Sequence, residues 1–571
     1  MSAVPDIQQR VSVRTIADPK TPFGRRLHFF APLLDRVLGI DAIDRFCERH
    51  GLYGLPAERF AKDGLDALGV TINGGECIRD RLPEGGPVIV VGNHPHGGIE
   101  GLVMVNLLAA LRPDVKVMAN TALRVFAELD PYFLYVNPLQ PRHPSNGRGL
   151  RESLRHLRNG GVLVMFPAGR TSFYQKDLGQ IADAEWNRSV ANLARRTGAK
   201  ILPVRFTGQN SALFYRLGSI WYRFRLLMLA RELMKMADKS VDIVVGRAFD
   251  SAALASLDED ALTELLQVKC AALQPPVANL TTHADEDRPL ALAGARHEIE
   301  AEIDGLPPAQ RVVEARGCVV GFGTRRQLPS LVQEIARERE RTFRLLDEGS
   351  GEPIDTDQYD DHFDHLFCWD RQTRALVGAY RIGRRDVLAT TSGSYLEQMF
   401  DFGTDFFSNR APALELGRSF VTPEFQRSRH ALDLLWRGIG GYLRAYPAYG
   451  TLYGTVSLTR QYDPMSIAMI CDVMIDPATD VRPREPIAAL LPPEWHRFRR
   501  NRPIDLSLLN TLVTIREADG KGLPVLLRHY AALGAKFHAV GIDANFAATP
   551  GLLLSVDLAT LPEAKRRRYI G

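Results

Sequence analysis

The chain has 571 residues, of which 45% are hydrophobic and 24% are charged, and both fractions are ordinary for globular proteins. This length exceeds that of a usual single domain, so two or three domains are expected. The 71 Lys and Arg residues nearly balance the 67 Asp and Glu residues, which leaves a net charge of only +4. Such a small charge argues against a nucleic-acid-binding protein, and no nucleic-acid partner is expected.

The six cysteines are scattered along the chain without paired spacing. They predict neither a zinc site nor a disulfide framework, so we expect no metal and a reducing, cytoplasmic environment. Residues 1–20 contain no apolar segment like that of a secretory signal. Because no run of about 18 apolar residues occurs, no spanning helix is predicted, and the protein is expected to be soluble or peripheral.

Strand-like and helical stretches alternate in the first half of the chain. The sequence predicts helices over 24–49, 100–111, 149–158 and 182–196, and strands around 88–92, 115–118, 132–136, 162–166 and 201–207. This alternation predicts an α/β domain with a largely parallel sheet that is covered on both faces.

The first of these strands ends in a loop that carries two histidines. Asn93-His94-Pro95-His96-Gly97-Gly98 follows a β-branched run, and Glu100 opens the next helix. Open α/β sheets bind ligands at the carboxyl edge of their strands. A histidine there can take a proton from a hydroxyl while a carboxylate orients the ring. The alternative is a glycine-rich turn with two solvated histidines.

Two basic segments bear on membrane contact. Residues 219–236 mix Trp, Tyr, Phe and Leu with Arg and Lys, which suits a helix in a membrane interface. The same segment also fits a helix that packs on the sheet with its arginines in solvent. The cluster Lys565–Arg568 near the chain end would be attracted to anionic lipid. We therefore expect a peripheral protein on the cytoplasmic face of the inner membrane.

A linker is predicted between two domains. The stretch from Gln274 to Pro308 is rich in Pro, Ala, Asp and Glu and has little hydrophobic periodicity. The predicted division is a first domain over 1–275, a linker over 276–310 and a second domain over 311–571.

The second half predicts an α+β unit. In order, the patterns indicate a strand over 312–320, a charged helix over 328–346, a hairpin with strands near 365–367 and 377–382, a strand over 413–421, a helix over 431–443, a strand over 452–457 and a helix over 465–475. The short turn at 370–373 is typical of an antiparallel hairpin.

The first half contains three blocks over about residues 80 to 250: Asn93-His94, Phe166-Pro167-Ala168-Gly169-Arg170 and Ile201-Leu202-Pro203-Val204. In this order they resemble the glycerolipid (lysophospholipid) acyltransferases. This family moves acyl groups from carrier-protein or coenzyme A thioesters to hydroxyls. The resemblance implies that His94 is the general base and Glu100 its orienting carboxylate. It also implies that the acceptor pocket is shaped by Phe166, Pro167, Gly169, Arg170 and Ser172.

The chain departs from this family pattern in two places. The family places an Asp five residues after its histidine, whereas Glu100 lies six after His94 and four after His96. The His-Pro-His-Gly string also resembles diacylglycerol acyltransferases, so His96 stays open as the base, with His94 favoured. Ala168 stands where the family commonly has Glu, which suggests an acceptor other than a glycerol phosphate.

The second half contains an ordered set of motifs: Arg341-Thr342-Phe343, Asp355-x-Asp357-x-Tyr359-Asp360, Val377-Gly378-x-Tyr380-Arg381 and Glu415-Leu416-Gly417-Arg418. This set resembles N-acyltransferases of the ornithine-lipid type, which are GNAT-like and similar to acyl-homoserine-lactone synthases. The resemblance covers about residues 311–480. It implies a thioester donor and an amino-acid acceptor.

Amine acylation needs a proton acceptor, because the α-amine of an amino acid is protonated at neutral pH. Glu415 is the predicted base. Arg418, with Arg381, is predicted to bind the substrate carboxylate or a donor phosphate through a guanidinium fork. Since strand spacing places Glu415 and Arg418 on opposite faces unless a bulge intervenes, a purely structural pair remains an alternative.

Two further segments of the second half are candidates for binding. Gln426, Arg427 and Arg429 precede a helix N-terminus, a usual seat for a phosphate, and predict donor binding. The aspartates Asp355, Asp357 and Asp360 lack calcium-loop spacing. We expect a solvated acidic loop, in which Asp357 could bind the side-chain ammonium of ornithine.

Together the two resemblances predict a bifunctional acyltransferase with no resident cofactor, in which the acyl thioester is a co-substrate carried by acyl carrier protein or coenzyme A. The second half would N-acylate ornithine with a 3-hydroxyacyl chain, and the first half would O-acylate the hydroxyl of that lyso-lipid. Glycine-type lipids need the same two steps. One alternative is a lysophospholipid O-acyltransferase whose second half only docks the carrier protein, and another is a non-catalytic membrane-surface protein.

Overall fold

The structure is a computed structural model that describes residues 12, 25, 28–137, 144–220, 222–274, 288–408, 412–428, 430–487 and 491–571, with backbone alone at 144, 145, 220, 222–224, 226 and 227. The chain divides into two compact units. Unit 1 comprises residues 1–277 and 491–503, and unit 2 comprises residues 278–490 and 504–571.

Unit 1 is built on a mixed sheet. Its strands are β1 (Thr71–Asn73), β2 (Val88–Gly92), β3 (Val115–Asn120), β4 (Phe133–Val136), β5 (Val162–Met165), β6 (Phe173–Gln175), β7 (Gln180–Ala182), β8 (Lys200–Phe206), β9 (Ser240–Val245) and β10 (Phe249–Asp250). The main sheet has the order β1-β9-β8-β2-β5-β3-β4, with β10 paired to β8, and β6 and β7 form a separate hairpin. The pairs around β2, β3 and β5 are parallel.

Helices cover this sheet. They are Ala31–Leu38, Ile40–Arg49, Ala57–Ala67, Ile78–Arg81, Ile99–Leu108, Pro144–Arg158, Ser189–Thr197, Ala212–Ile220, Tyr222–Met234, Glu259–Ala271 and Pro493–Asn501. β2 is buried along its whole length, as expected for a β-branched strand at the centre of a sheet with both faces covered. The predicted parallel α/β architecture is confirmed, and β2 delivers the His94 loop to the carboxyl edge.

Two predictions for the N-terminal half differ from the structure. The helix predicted over 182–196 begins only at Ser189, because residues 180–182 pair with β6 instead. The C-terminal helix Pro493–Asn501 belongs to unit 1, since Trp495 and Phe498 are buried and the helix packs on Glu259–Ala271. The second domain predicted over 311–571 therefore does not form one body.

Unit 2 has a sheet of its own. Its strands are β11 (Arg311–Ala315), β12 (Cys318–Gly323), β13 (Asp364–Asp370), β14 (Ala375–Arg384), β15 (Phe400–Asp401), β16 (Ala413–Val421), β17 (Thr451–Ser457), β18 (Arg482–Pro483), β19 (Lys536–Asp543) and β20 (Thr549–Asp557). The main sheet has the order β11-β12-β13-β14-β16-β17-β20-β19. Its helices are Arg296–Gly305, Pro329–Arg344, Arg385–Leu388, Thr404–Ser408, Ala431–Ala445, Pro464–Met474, Leu506–Arg516, Val525–Ala532 and Glu563–Tyr569.

One parallel pair interrupts the antiparallel sheet of unit 2. β16 pairs with β17 from Ala413↔Thr451 to Leu416↔Gly454, and no pairing is present beyond that point in the described strands. The two strands therefore diverge towards their carboxyl ends and leave a cleft. The β13–β14 hairpin and the α+β character of this unit are confirmed.

Two predictions for unit 2 are wrong. The strand predicted over 312–320 is a hairpin of β11 and β12, turned by Arg316 and Gly317, which both have positive φ. The linker predicted over 276–310 is too long, because the helix Arg296–Gly305 buries Ile299 and Ile303 in the core of unit 2. Part of the proposed linker, residues 275–287, lies outside the described residues.

The basic segments predicted to meet a membrane are helical. Residues 219–236 fall in the helices Ala212–Ile220 and Tyr222–Met234, although Trp221 and several side chains lie outside the described residues. At the chain end, Arg567 pairs with Glu563 and Arg568 pairs with Asp433. In the part of the chain that the structure describes, no helix has the length and apolarity to cross a bilayer.

Candidate active sites

His94 faces a carboxylate in unit 1. Its Nδ1 lies 3.5 Å from Glu100 Oε1, and the carboxylate is fully buried while the ring keeps 18% of its side-chain surface exposed. Burial disfavours the charged imidazole, but the Glu100 carboxylate outweighs it and raises the pKa of His94. A histidine held in this way can accept a proton from a hydroxyl.

Glu100 also organises the loop between the two residues. Its oxygens accept hydrogen bonds from the backbone N–H groups of His96, Gly97 and Gly98 at 2.6–3.1 Å. These donors sit at the N-terminus of the helix Ile99–Leu108, where negative charge is stabilised. Burial would raise the pKa of Glu100, but His94 and the backbone donors lower it overall, so the group is a carboxylate.

His96 contacts a backbone carbonyl through its ring. Its Nε2 lies 3.1 Å from the carbonyl oxygen of Thr207, and its side chain is buried. Gly97 has φ of +95°, and a Cβ there would lie 2.2 Å from Thr171, so only glycine fits the turn. The turn at Gly97 accommodates the extra residue of the motif, and the His94 ring is the one that lies against the Glu100 carboxylate.

Asparagines on two elements fix the same loop. The amide of Asn93 donates to the carbonyl of Phe206 at 2.8 Å and accepts from its N–H at 2.7 Å. Asn210 donates to the carbonyls of Pro95 and His96 at 3.2 and 3.1 Å. The loop that carries His94 is therefore held by the end of β8 and the segment after it.

Ser172 is buried and forms hydrogen bonds that hold the His94 loop. Its N–H donates to the carbonyl of His94 at 3.0 Å, and its hydroxyl donates to Asp183 at 2.6 Å. Asp183 also accepts from Trp186 and from the N–H of His94 at 3.0 and 3.2 Å. Ser172 thus has a positioning contact rather than a surface open to an acceptor, and sequence reasoning missed Asp183.

The Phe166–Arg170 block lies beside His94. The Phe166 ring stacks on the His94 ring with a centroid distance of 4.7 Å. Pro167 is buried, and its carbonyl accepts from the N–H of Asn187. Gly169 has a positive φ of +64° and turns the chain, which leaves Arg170 exposed at the surface of the site.

A second arginine accompanies Arg170. The guanidinium carbons of Arg170 and Arg225 lie 4.9 and 4.4 Å from the centroid of the Phe173 ring. Arg225 is only 9% exposed, and its NH1 has no hydrogen-bond partner among the described residues. Burial and the neighbouring Arg170 lower its pKa. Two cations that share one ring can together bind an anionic group.

Unit 2 contains a buried network of arginines and aspartates. Asp360 contacts Arg339 at 3.2 Å and Arg381 at 3.1 Å, and all three side chains are about 1% exposed. Arg339 also contacts Asp355 at 2.9 Å. The two guanidinium groups outweigh burial and hold the pKa of Asp360 well below its usual range. The predicted solvated acidic loop is therefore wrong, because these arginines draw the aspartates inside.

Asp357 is part of the same network. It contacts Arg381 at 2.6 Å and Arg418 at 3.8 Å, and it caps the turn at 358–361 by accepting from the N–H of Tyr359. Its side chain is 21% exposed. Arg381 is therefore a partner of Asp357 that the sequence prediction did not include. A substrate ammonium at Asp357 would have to compete with this arginine.

A bulge brings Arg418 and Glu415 to one side of the sheet. The register of β14 and β16 shifts between Ala379 and Arg381, and Arg418 has φ of +48°. The hydroxyl of Tyr395 lies 3.1 Å from Arg418 NH2, while the N–H of Leu396 donates to Glu415 at 3.3 Å. Both side chains thus meet one segment, and the strict alternation considered from sequence does not apply.

Glu415 is occupied by protein groups. Its Oε2 accepts from the hydroxyls of Ser394 and Tyr453, and its Oε1 accepts from Leu396. Burial raises the pKa of Glu415, and the hydrogen bonds lower it by less, so the pKa is raised overall. A carboxyl with both oxygens engaged can hold its neighbours in place, and three donors occupy most of its acceptor sites. The contacts therefore do not favour the predicted base role.

The predicted donor loop is exposed where it is described. Gln426 and Arg427 lie at the surface, and Gln426 donates to the carbonyl of Val421 at 3.2 Å. Arg429 lies outside the described residues. The loop precedes the helix Ala431–Ala445, whose free N–H groups can receive a phosphate.

Comparisons with known proteins agree with two acyltransferase sites in one chain. A family model described as acyltransferase matches residues 14–267, and a model described as acetyltransferase (GNAT) domain matches residues 339–437. The fold and both matches define an enzyme that transfers acyl groups.

Named relatives narrow this class. The chain is 30% identical over 272 residues to a glycine Nα-acyltransferase of Bacteroides thetaiotaomicron, which covers 43% of this chain and 79% of the relative. It is 27% identical over 179 residues to a lyso-glycine lipid O-acyltransferase of Phocaeicola vulgatus, covering 29% and 61%. It is 36% identical over 96 residues to an L-ornithine Nα-acyltransferase of Rhizobium meliloti, covering 15% and 31%.

The chain belongs to the family of the Bacteroides glycine Nα-acyltransferase. Its N-terminal acyltransferase domain and C-terminal GNAT domain confirm the predicted resemblance to bifunctional ornithine lipid synthases. Acyl transfer that makes amino-acid lipids, by two acyltransferase domains, is thus supported.

Proposed function

We propose that unit 2 N-acylates a free amino acid, ornithine, with a 3-hydroxyacyl group, and that unit 1 then O-acylates the hydroxyl of that product. The donors are thioesters of acyl carrier protein or coenzyme A, and no resident cofactor is required. The site that carries this proposal is His94 with Glu100, on a rigid loop beside an arginine pair. It provides a base for a hydroxyl and a receptor for an anion.

The arginine pair explains the acceptor of unit 1. An N-acylated amino acid has lost its α-ammonium and keeps its carboxylate. Arg170 and Arg225 are cations without an acidic partner in the described contacts, and a guanidinium fork binds a carboxylate well. With Ala168 in place of the family's glutamate, the acceptor need not be a glycerol phosphate.

The amino acid is the finer point of the proposal, because relatives named for glycine and for ornithine are both similar to the chain. A cavity of about 290 Å³ in unit 2 favours ornithine. It is lined by Glu485 and Asp543, while its Arg484 already pairs with Asp401 at 2.8 Å. Glu485 is exposed and forms no ion pair in the described contacts, and Asp543, which accepts a hydrogen bond from Tyr395, adds a second carboxyl group that suits a side-chain ammonium.

Catalysis in unit 1 would begin with His94. The imidazole takes the hydroxyl proton of the acceptor, and the oxygen attacks the thioester carbonyl. The buried Glu100 stabilises the imidazolium that forms. A peripheral position on the cytoplasmic face of the inner membrane, to which the basic helix Tyr222–Met234 would contribute, gives access to a lipid acceptor and product.

The test uses the purified full-length chain with acyl-carrier-protein and coenzyme A thioesters, offered ornithine, glycine or lysophosphatidate. We expect an N-(3-hydroxyacyl) amino acid that is converted to a two-chain, phosphorus-free lipid. Acylation of lysophosphatidate with no amino-acid product would instead select the single-activity O-acyltransferase. O-acylation that survives in the double variant His94→Ala, His96→Ala would place the O-acyl transfer elsewhere in the chain.

A further inference from the structure

Glu348 is a buried carboxyl group of unit 2 that the functions assigned above do not use. It lies in the turn after the helix Pro329–Arg344 and has 0% exposed surface. Its Oε2 accepts from the hydroxyl of Ser457 at 3.3 Å. Its Oε1 is buried and has no hydrogen-bond partner among the described residues. A buried acceptor without a donor is costly, and native structures rarely keep one without a reason.

Glu348 stands where the sheet opens. Ser457 is the last residue of β17 and pairs with Gly551 on β20, but β16 and β17 are unpaired beyond Leu416↔Gly454. The carboxyl therefore lies beside the carboxyl end of β17, which borders the cleft between two diverging parallel strands. Such a cleft presents unpaired backbone groups on which an extended ligand can lie.

The turn that presents Glu348 is held in an uncommon conformation. Asp347 has φ of +56°, which a residue with a side chain adopts at an energetic cost. The carboxylate of Asp347 accepts from Gln461 at 3.0 Å, and the N–H of Glu348 donates to Phe343 at 3.0 Å. These contacts direct the Glu348 side chain inwards rather than into solvent.

The charged groups around Glu348 include more carboxyl groups than arginines. Three buried arginines (Arg339, Arg381, Arg418) face three aspartates (Asp355, Asp357, Asp360) and balance them. Two further carboxyl groups interact electrostatically with Arg418. Asp543 raises the pKa of Arg418, and Arg418 lowers the pKa of Glu348. An α-ammonium would supply the missing positive charge.

The charged groups that face Glu348 set its proton affinity. Burial is the largest influence and raises the pKa of Glu348 to about 7. The Ser457 hydroxyl and Arg418 oppose this, while Asp347 and Asp543 add to it. A group with this affinity is a suitable general base at neutral pH, because it is partly ionised and binds a proton well.

We propose that Glu348 is the general base that deprotonates the α-ammonium of the amino acid for N-acylation, which rests on the proposed function of unit 2. Its Oε1 takes one proton from the ammonium and leaves a neutral amine. The amine nitrogen forms a bond to the thioester carbonyl carbon, and the C–S bond breaks. A second N–H proton passes to the leaving thiolate, and Glu348 returns its proton to water.

The decisive experiment measures kcat and KM for N-acylation by the full-length chain and by Glu348→Gln, from about pH 6 to pH 9.5. We expect kcat of the variant at pH 7 to fall at least about 100-fold, with an unchanged KM for the thioester. The loss should shrink by at least about tenfold towards high pH, because more of the amine is then neutral without a base. A purely structural role would give a loss independent of pH.

Two further variants control this result. Glu517 is also a buried glutamate of unit 2 whose pKa is raised by burial, but it accepts from the N–H of Asp463. Glu517→Gln should therefore retain full activity. Glu348→Asp keeps a carboxyl on a shorter chain and should retain more activity than Glu348→Gln, and this comparison serves if the glutamine variant folds poorly.

Three outcomes would overturn the proposal. One is activity of Glu348→Gln within threefold of the parent with an unaltered pH profile. Another is a loss confined to 3-hydroxyacyl donors and absent with plain acyl donors, which would make Glu348 a reader of the donor hydroxyl. In both cases the parent protein still acylates the amino acid and the proposed function stands. If the parent makes no N-acyl product, both proposals fall together.

Discussion

The two sites hold their key carboxylates in opposite ways. In unit 1, Glu100 is held by three backbone N–H groups and leaves its charge available to His94. In unit 2, Asp360 forms ion pairs with two buried guanidinium groups, which neutralise its charge. The first arrangement tunes one proton acceptor, whereas the second builds a rigid, neutral scaffold around a cleft.

The charges that remain unmatched differ in sign. Arg225 in unit 1 is a buried cation whose described contacts include no acid, and Glu348 in unit 2 is a buried acid with an unpartnered oxygen. A free amino acid brings an ammonium, and its N-acylated product keeps a carboxylate. The difference between the sites thus matches the order of acylation that we propose.

The largest effect is expected in unit 1. His94→Ala removes the base and should lower O-acylation by about 10³-fold, while N-acylation continues. His96→Ala is the matched control, because that ring meets the carbonyl of Thr207 rather than Glu100. We expect it to change the rate by less than about tenfold. The assay is transfer of a labelled acyl chain to a synthetic N-acyl amino acid. A larger loss in His96→Ala than in His94→Ala would reverse the assignment.

In unit 2 the largest effect of a substitution in the ion network is expected on the free energy of unfolding. Asp360→Asn leaves two buried guanidinium groups without their shared anion, which costs about 3–5 kcal/mol of the free energy of unfolding. Denaturant unfolding of the full chain should show a destabilised transition and loss of N-acylation. Asp361→Asn alters an exposed carboxylate that is 62% accessible and should change neither. Equal unfolding curves for the two variants would contradict a scaffold role.

Asp360 also predicts how stability depends on pH. Because its folded pKa is depressed, the ion network is fully present above the ordinary pKa of an aspartate, about 4. Its contribution is lost as the pH falls below that value towards the folded pKa. Unfolding measured from pH 7 to pH 3 should show unit 2 losing this contribution at the acid end, and the loss should be absent in Asp360→Asn.

Glu100→Gln separates the two functions of that carboxylate. Without the negative charge, burial dominates and the pKa of His94 should fall, so the acid limb of the O-acylation rate should move to lower pH. The maximal rate should drop about 10- to 100-fold, because the imidazolium loses its counter-charge. Glu185→Gln, on an exposed residue of the same unit, is the control. A limb that moves to higher pH would refute the pairing.

A moderate effect is expected at the anion receptor. Arg225→Met should raise KM for the N-acyl amino acid by about 10- to 100-fold, which is the worth of a charge-assisted hydrogen bond. Unfolding should not be facilitated, since a buried charge without an acid is removed. Arg231→Met changes an exposed arginine of the same helix and should leave KM unaltered. A lowered kcat with constant KM would argue against acceptor binding.

The smallest effect concerns the choice of amino acid. Glu485→Gln removes one exposed carboxylate from the 290 Å³ cavity and should raise KM for ornithine by about three- to fivefold, as expected for an exposed ion pair. KM for glycine, which has no side-chain ammonium, should not change. Competition between the two amino acids in one reaction measures this directly. An equal change for both would remove ornithine's side chain from this cavity.

Much of the sheet order was predictable because strand period and buried β-branched runs are local signals. β2, β14 and β16 fall where their patterns place them. The position of the helix Pro493–Asn501 in unit 1 was not predictable from local signals. Its burial depends on Trp495 and Phe498, which pack against residues more than 200 positions earlier in the chain. The hairpin of β11 and β12 was hidden by a turn at Arg316, whose positive φ is unusual for arginine.

The sites show the same limit. His94 and Glu100 were found from spacing, and the structure added which histidine meets the acid. Asp183, Arg225 and Glu348 belong to no sequence motif, and it is their burial in the fold that distinguishes them. Asp360 misled the sequence reading because its arginine partners, Arg339 and Arg381, lie 21 residues away on either side.

Lipid analysis of a host that lacks amino-acid lipids tests the central claim, that the two units act in sequence on one molecule. The host would express the parent chain, His94→Ala or Asp360→Asn, and mass spectrometry would identify amine-positive, phosphorus-free lipids. We predict a two-chain lipid from the parent, a single-chain N-acyl amino acid that accumulates in His94→Ala, and neither product in Asp360→Asn. Loss of the two-chain lipid without the single-chain intermediate in His94→Ala would contradict the account.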